Sequence, residues 1–339
     1  MHGGQLWDLH FFMNIKYCLR CACVGDLLNE EPTNAVDNPF YTSKSHKNWA
    51  ENYPSLETQY LKIHTILDQG GAVSANFDTA LLPLYADDEK RLKEPCQRPN
   101  TRAWRLETES DIELWWHTEI SSIALAAFAR FPELTQTSHT KPLSEVSIAE
   151  SVDATYAPYI DGTRVAQLIV EVKRNLIAGH EWQSGRLTVV QRKLAKELRG
   201  YADKYQCPLI ACVDGQYYLQ LQFRAQKADA IRDPQCMVDC WVLPIQQSRY
   251  AFYRMLVQGW RRCQVLTAPT LTVGSLTEHR PEFYTGRPIW KVPSEPGLPS
   301  TYVTHHPEGY TRMVDAESGA IGWIHESIGG IVWETGRFW

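Results

Sequence analysis

The chain has 339 residues, a size suited to one large domain or two ordinary ones. Apolar residues make up 44% and charged residues 22%, near the globular average, which argues against bulk disorder, a collagen-like repeat or a coiled coil. Lys plus Arg number 34 against 39 Asp plus Glu, a formal charge of −5 that excludes a uniformly basic, histone-like surface but leaves room for a local basic groove.

No run reaches the roughly 18 apolar residues that span a bilayer, so no membrane association is expected. The first residues are apolar in patches, but Lys16 and Arg20 interrupt them. They lack the basic lead and unbroken apolar centre of a signal peptide. Nine cysteines, an odd number scattered over a long chain, do not resemble a secreted disulfide scaffold. Cys18, Cys21 and Cys23 form C-x-x-C-x-C, a spacing that suits zinc, yet the next tight pair, Cys236 and Cys240, is far off. Free thiols in a reducing compartment are the expectation, hence an intracellular protein of cytoplasm or nucleus.

In chain order, residues 34–47 are polar and read as loop. Ser55–Gln69 has apolar residues at helical spacing behind Ser55 as a cap, and Gly70-Gly71 ends it. Residues 84–102, rich in charge and carrying two prolines, read as a loop or exposed linker. A strong helix is predicted from Ser110 to about Arg130, capped by Ser110 or Asp111, with Ile112, Trp116, Ile120, Ile123 and Ala127 on its apolar face and Pro132 as its stop. From Glu145 the period becomes two. EVSIAE, VDATYAPYI and RVAQLIVEVK read as three strands, with Asp161-Gly162 turning the last two. Leu187–Tyr205 returns to helical period, with Val190, Leu194, Leu198 and Tyr201 facing inward. PLIACVD and YYLQLQF follow as strands hinged at Asp214-Gly215, then MVDCWVLP as another, and Gln246–Cys263 as a closing helix. The remainder reads as loops and short hairpins, with turns at Asp315–Gly319 and Gly329-Gly330. The chain thus divides into a partly helical N-terminal extension (1–105), an α/β core with a mixed central sheet (106–265) and an aromatic, Pro/Gly-rich C-terminal extension (266–339).

One stretch carries chemistry. Glu171 and Lys173 stand two apart at the end of a strand, so both project from one face. A hairpin around Asp161-Gly162 brings Asp153 across from the Glu171 end. Two carboxylates and an ammonium then converge at one end of the sheet. A hard divalent cation such as Mg²⁺ takes one or two carboxylates plus water and phosphate oxygens, a use that such a cluster suits. A nearby Lys173 orients or deprotonates the attacking water, or stabilises developing negative charge. The plain alternative is a solvated ion pair at a strand end. The nearly unbroken apolar run Val165–Val172 argues instead for a central strand covered on both faces.

Asp153…Glu171-Val172-Lys173 resembles the signature of the PD-(D/E)XK nuclease superfamily, found in restriction enzymes, RecB-type exonucleases and Holliday-junction resolvases. The resemblance covers roughly residues 107–245 and implies an αβββαβ, restriction-endonuclease-like core. It implies metal binding by Asp153 and Glu171 and a catalytic Lys173. A RecB-like subset adds Q-x-x-x-Y on the following helix; here Tyr201 matches and Glu197 replaces the Gln, with Gln191 an alternative. Glu113 and Glu119 are candidates for that subset's acid on the preceding helix. Glu197 and Tyr201 therefore join Lys173, Glu171 and Asp153 as candidate catalytic residues. The aromatic content and the extensions also resemble fungal members of the superfamily.

Arg192, Lys193, Lys196 and Arg199 on the same helix are candidate contacts to a phosphate backbone, and Arg254, Arg261 and Arg262 extend a possible basic surface. Trp115, Trp116, Trp182 and Trp260 read as core. The leading expectation is a Mg²⁺-dependent nuclease acting on DNA or RNA. The alternative is the same fold reused for nucleic-acid binding without cleavage or for tRNA-dependent chemistry, such as aminoacyl-tRNA-dependent cyclodipeptide formation. An interaction protein using residues 266–339 is a third class.

Overall fold

Period-two patterning builds one large mixed sheet, which organises the molecule. The computed structural model describes residues 21–33, 35–37, 42–44, 47–100, 102–130, 134–140, 151–160, 163–292 and 299–336. In chain order the strands of the sheet are β1 (Leu61–Ile63), β2 (Leu134–Thr140), β3 (Val152–Ile160), β4 (Leu168–Val172), β5 (Leu209–Val213), β6 (Tyr217–Phe223) and β7 (Val238–Pro244). Across the sheet they run β2-β3-β4-β5-β6-β7-β1. β4 and β5 are parallel, as are β7 and β1, and the other neighbours are antiparallel. The short segment Thr163–Arg164 leads into β4 along the same hairpin. Between Arg164 opposite Tyr159 and Leu168 opposite Tyr156 the register slips by one residue, a bulge that sets which face Glu171 occupies.

Three long helices cover the sheet: α1 (Glu109–Trp116), α2 (Val189–Lys204) and α3 (Ser248–Leu266). A π-turn, His117–Ser121, carries α1 on into Ser122–Ala126. The cap of α1 is Thr108, upstream of the expected Ser110 or Asp111. Thr108 Oγ1 accepts the Asp111 N–H (3.2 Å), and Asp111 Oδ2 accepts the Thr108 N–H (2.8 Å), a closed capping box. The predicted apolar face of this helix is buried throughout, from Ile112 to Ala127. On β3, Tyr156 meets Trp116 of α1 (Nε1 to hydroxyl, 3.2 Å) and Phe252 of α3 (centroids 5.0 Å). Asp153, at odd spacing from Tyr156 on the same strand, belongs to the opposite face, where α2 packs. At Gly259, α3 crosses the backbone before β4 so closely that a Cβ would lie 2.4 Å from the Gln167 carbonyl oxygen. The predicted Trp115, Trp116, Trp182 and Trp260 are all core residues.

Several expectations need correction. Ser55–Gln69 is no α-helix: a 3₁₀ turn, Thr58–Tyr60, leads into β1 and the strand Thr65–Leu67. Its β-branched residues suit a strand, and the open edge of β7 supplies the hydrogen-bond partner that periodicity cannot reveal. Residues 84–102 hold a helix, Ala86–Leu92, whose Asp87, Asp88 and Arg91 are buried against Arg261 of α3. Arg254, Arg261 and Arg262 accordingly form no basic surface; they are 4%, 0% and 2% exposed and bonded inside the protein. The first strand of the meander is β2. Residues 145–150, expected as that strand, and the Asp161-Gly162 turn lie outside the described residues, as does Pro132. Gly329-Gly330 falls within the strand Ile328–Trp333.

Residues before 106 contribute Val24, Leu27, Leu56, Phe77 and Trp104 to the same hydrophobic core as the sheet. After α3, a four-stranded and a three-stranded sheet form short hairpins around a smaller core of Leu271, Val273, Trp290 and Trp323. No helix among the described residues is long and apolar enough to cross a membrane.

Candidate active site

β4 is buried along its whole length, between β3 and β5. Its register places Val170 opposite Ala154, so the next step sets Asp153 opposite Glu171. Asp153 Oδ2 fixes this arrangement by accepting the Val172 N–H at 2.6 Å. On the other side Glu171 neighbours Cys212 of β5, and the Lys173 N–H extends the ladder to the Val213 carbonyl (2.8 Å). The Lys173 ammonium donates to Glu171 Oε1 (2.5 Å) and to Glu197 Oε1 of α2 (3.0 Å). The other Glu171 oxygen, Oε2, is buried and has no hydrogen-bond partner among the described residues. The predicted trio thus converges, and Glu197 joins it.

Electrostatics follow from this burial. Burial pushes the Glu171 carboxyl well above its ordinary range; Lys173 opposes the shift, and the Asp153 and Glu197 charges reinforce it. Burial alone would pull the Lys173 ammonium down, but Glu171 and Glu197 outweigh it and carry the amine well above its usual value. One ammonium shared by two carboxylates neutralises neither fully. Burial also raises Asp153, against the Val172 N–H and Lys173 and with help from Glu113 and Glu109. The Asp153 side chain is 21% exposed, whereas those of Glu171 and Lys173 are 3% and 4% exposed, so the cluster opens to solvent at Asp153.

α2 presents Leu194, Leu198 and Tyr201 inward as expected, but Val190 is half exposed and Gln191 takes the buried position. Gln191 bridges Trp182 Nε1 (2.6 Å) and the Leu176 carbonyl (2.7 Å), so it is engaged away from the Lys173 cluster and Glu197 holds the place beside Lys173. The Tyr201 hydroxyl donates to the Ser151 carbonyl (3.4 Å), just before Asp153, and its ring meets Trp49 at 5.0 Å. Burial and then the Glu171 and Glu197 charges raise the Tyr201 phenol, so it remains protonated. Of the expected phosphate contacts, Arg192 is exposed, Lys193 is half-buried and Lys196 pairs with Glu51 (2.6 Å). Arg199 is a correction: it is 0% exposed, donates to the Asp233 carbonyl (2.6 Å) and lies over the Phe223 ring, out of reach of a ligand at the surface.

The preceding helix resolves the choice between its two acids. Glu119 is buried among Trp104 Nε1 (3.0 Å), the Thr33 N–H (3.2 Å) and Arg249, a structural role. Glu113 faces the site. Its carboxylate lies 3.4 Å from His139 Nε2 and 3.5 Å from His117 Nε2. Sequence reasoning missed His139. It stands opposite Asp153, between the Ser138–Ala154 and Thr140–Val152 pairs, with Nδ1 3.8 Å from Asp153 Oδ1. Its φ of +49° is left-handed, unusual for a non-glycine residue within a strand and a form of strain that gathers at functional sites. The only sequence signal was a histidine in a weakly patterned Thr/Ser stretch.

Among the described residues no group of three or more His, Cys, Asp or Glu side chains is disposed to hold a metal ion. Two carboxylates remain, and they suit a hard cation that keeps most of its own water. The unpartnered Glu171 Oε2, beside a half-sheltered Asp153, is the observation that fits one. The zinc alternative gains nothing: Cys18 lies outside the described residues, Cys21 and Cys23 sit on a short strand paired with Pro95–Gln97, and Cys236 and Cys240 are buried thiols. Scans of protein-family models, curated proteins and solved structures return no match to this chain. The reading of the site therefore rests on its residues.

Proposed function

We propose that the chain is a divalent-metal-dependent phosphodiester hydrolase acting on nucleic acid. The observation that carries the reading is Glu171: a buried carboxylate with one oxygen on Lys173, one without a partner among the described residues, and Asp153 opposite it on the neighbouring strand. The order α1, β2, β3, β4, α2, β5, with β5 parallel to β4, supports the restriction-endonuclease-like core that the resemblance implies.

Asp153 and Glu171 are the residues that would hold Mg²⁺ or Mn²⁺. Such an ion, when bound, polarises the phosphoryl group and lowers the pKa of a coordinated water. Lys173, kept protonated by its two carboxylates, acts as a fixed positive charge toward the pentacoordinate transition state and stabilises the negative charge that builds on its oxygens. Glu197 positions that ammonium from α2, and Tyr201 ties α2 to the start of β3. In the overall step water oxygen bonds to phosphorus, the ester P–O bond breaks, and the water proton reaches the leaving oxygen.

The depth of Lys173 and Glu171 favours a second reading, the same fold used on a carrier such as tRNA without cleavage. One assay separates the two. Purified protein is incubated with labelled single- and double-stranded DNA and RNA, with Mn²⁺ or with chelator. Cleavage that chelation, Asp153→Asn and Glu171→Gln each abolish supports hydrolysis. Intact substrates of every kind with metal bound would overturn it.

A further inference from the structure

We propose that Thr79, His64 and Asp239 form a second reactive centre, in which the Thr79 hydroxyl is a nucleophile that takes an acyl group from an activated ester, such as an acyl thioester or an aryl ester. The proposal is independent of the phosphodiester reading. The three groups meet where β7 pairs with β1, three strands from β4. His64 directly follows β1. Its N–H donates to the Cys240 carbonyl (2.9 Å), and its carbonyl accepts the Asn76 N–H (3.1 Å). Asp239 lies on β7 opposite Gln222 of β6. Thr79 sits on the turn that the Leu81 N–H closes onto the Phe77 carbonyl (2.9 Å).

A line of hydrogen bonds joins the three side chains. His64 Nε2 lies 2.6 Å from Asp239 Oδ1, and His64 Nδ1 lies 2.7 Å from Thr79 Oγ1. The proton positions follow from Asp239. Burial alone would raise its carboxyl, but hydrogen bonds from His64, Arg224 and Gln222 outweigh burial and hold it below the usual carboxylate range. An ionised carboxylate only accepts, so His64 Nε2 carries a proton. In the neutral ring the lone pair is then on Nδ1, and the Thr79 hydroxyl donates to it. Hydroxyl, base and orienting carboxylate stand in the order that activates a nucleophile. The hydroxyl has a second acceptor, the Asn76 carbonyl at 3.2 Å, but its shorter contact is to the base.

The base is held in place. Trp241 stacks on the His64 ring, with centroids 4.8 Å apart and planes at 24°. Arg224 clamps Asp239 through Nε (2.7 Å) and Nη2 (2.6 Å), and Gln222 Nε2 adds a bond to Oδ2 (3.0 Å). Arg224 also offsets the Asp239 charge, which makes Asp239 a positioning residue, with Thr79 and His64 as the reacting pair. His64 and Asp239 are 6% and 0% exposed, yet Thr79 is exposed, so a reagent reaches the hydroxyl from solvent. Arg224 is committed to Asp239, and Arg254 to Asp78 beside Thr79 (3.0 Å). That favours a neutral carbonyl electrophile over a phosphoryl donor. In the step, Thr79 Oγ bonds to the acyl carbon while its proton passes to His64 Nδ1. The bond from that carbon to the leaving sulfur or oxygen breaks, and the leaving thiol or alcohol takes the proton from His64. An acyl ester on Thr79 remains.

The test incubates the full chain with p-nitrophenyl acetate and follows acetylation of each peptide by mass spectrometry. Thr79 should react about a hundredfold faster than the exposed Thr301 and Thr311, the gain a positioned general base gives. Thr79 reacting no faster than those two overturns the proposal. His64→Gln, which leaves no base beside the hydroxyl, should bring Thr79 down to their rate. Thr79→Ser keeps the hydroxyl on a less hindered carbon and should react at least as fast as wild type, a readout that holds even where His64→Gln does not fold. Undiminished acetylation of Thr79 in folded His64→Gln, or loss of acetylation in folded Thr79→Ser, overturns the proposal as well.

Discussion

Replacing Glu171 by Gln should make the protein more stable in chelator while abolishing its metal response. Glu171 is 2% exposed, and its Oε2 has no partner among the described residues. A buried charged oxygen left in that state costs about 1–3 kcal/mol. Gln keeps the shape and an oxygen for Lys173, its NH₂ in the Oε2 place is unpaired but neutral and so less costly to bury than a charged oxygen, and Lys173 retains Glu197, so no uncompensated charge is created. The variant is therefore expected to gain about 1–3 kcal/mol at pH 8, a rise of a few degrees in Tm. The sign of the pH dependence is fixed by the shift. A carboxyl raised in the folded state favours folding at low pH and loses that contribution as pH rises through its folded pKa. The gap between variant and wild type should thus vanish below the ordinary carboxyl range and open toward alkaline pH. Excess Mn²⁺ should reverse it, because an ion at about a hundred times its Kd adds about 2.7 kcal/mol to the wild type alone. Differential scanning fluorimetry across pH, with chelator or Mn²⁺, reads all of this. A variant less stable than wild type in chelator at pH 8, or one that Mn²⁺ stabilises equally, would refute the reasoning.

Other consequences can be checked alongside. Lys173→Met removes the cation from between two buried carboxylates, and urea denaturation should show a loss of about 3–5 kcal/mol, in contrast to the gain at Glu171. His139→Gly relieves the left-handed backbone and should raise stability by up to about 1 kcal/mol, while metal-dependent cleavage falls if the imidazole serves the Asp153 mouth. Gly259→Ala forces a Cβ onto the Gln167 carbonyl, and a loss of about 1–3 kcal/mol or insoluble expression is expected.

The heart of the site was legible because it is local. The apolar run of β4 and the two-residue spacing of Glu171 and Lys173 put the two groups on one face of a central strand, and the antiparallel pairing with β3 brought Asp153 across. What stayed hidden depends on partners distant in sequence. β1 becomes a strand only because the edge of β7 is free, and β2 is so rich in Thr and other polar residues that its pattern carries little hydrophobic signal. The charges of Ala86–Leu92 look solvated until Arg261 arrives from α3 to pair with them. Arg199 and Arg192 are alike as letters, and only the packing of α2 buries one and exposes the other. His139 depends on a single left-handed backbone torsion, which no residue spacing announces.

The most direct test of the account is a crystal soaked in Mn²⁺ and measured for anomalous scattering. One peak within about 2.5 Å of both Asp153 and Glu171, absent from a Glu171→Gln crystal, is the predicted result. No peak there, or a peak elsewhere while Mn²⁺-dependent cleavage persists, would contradict it.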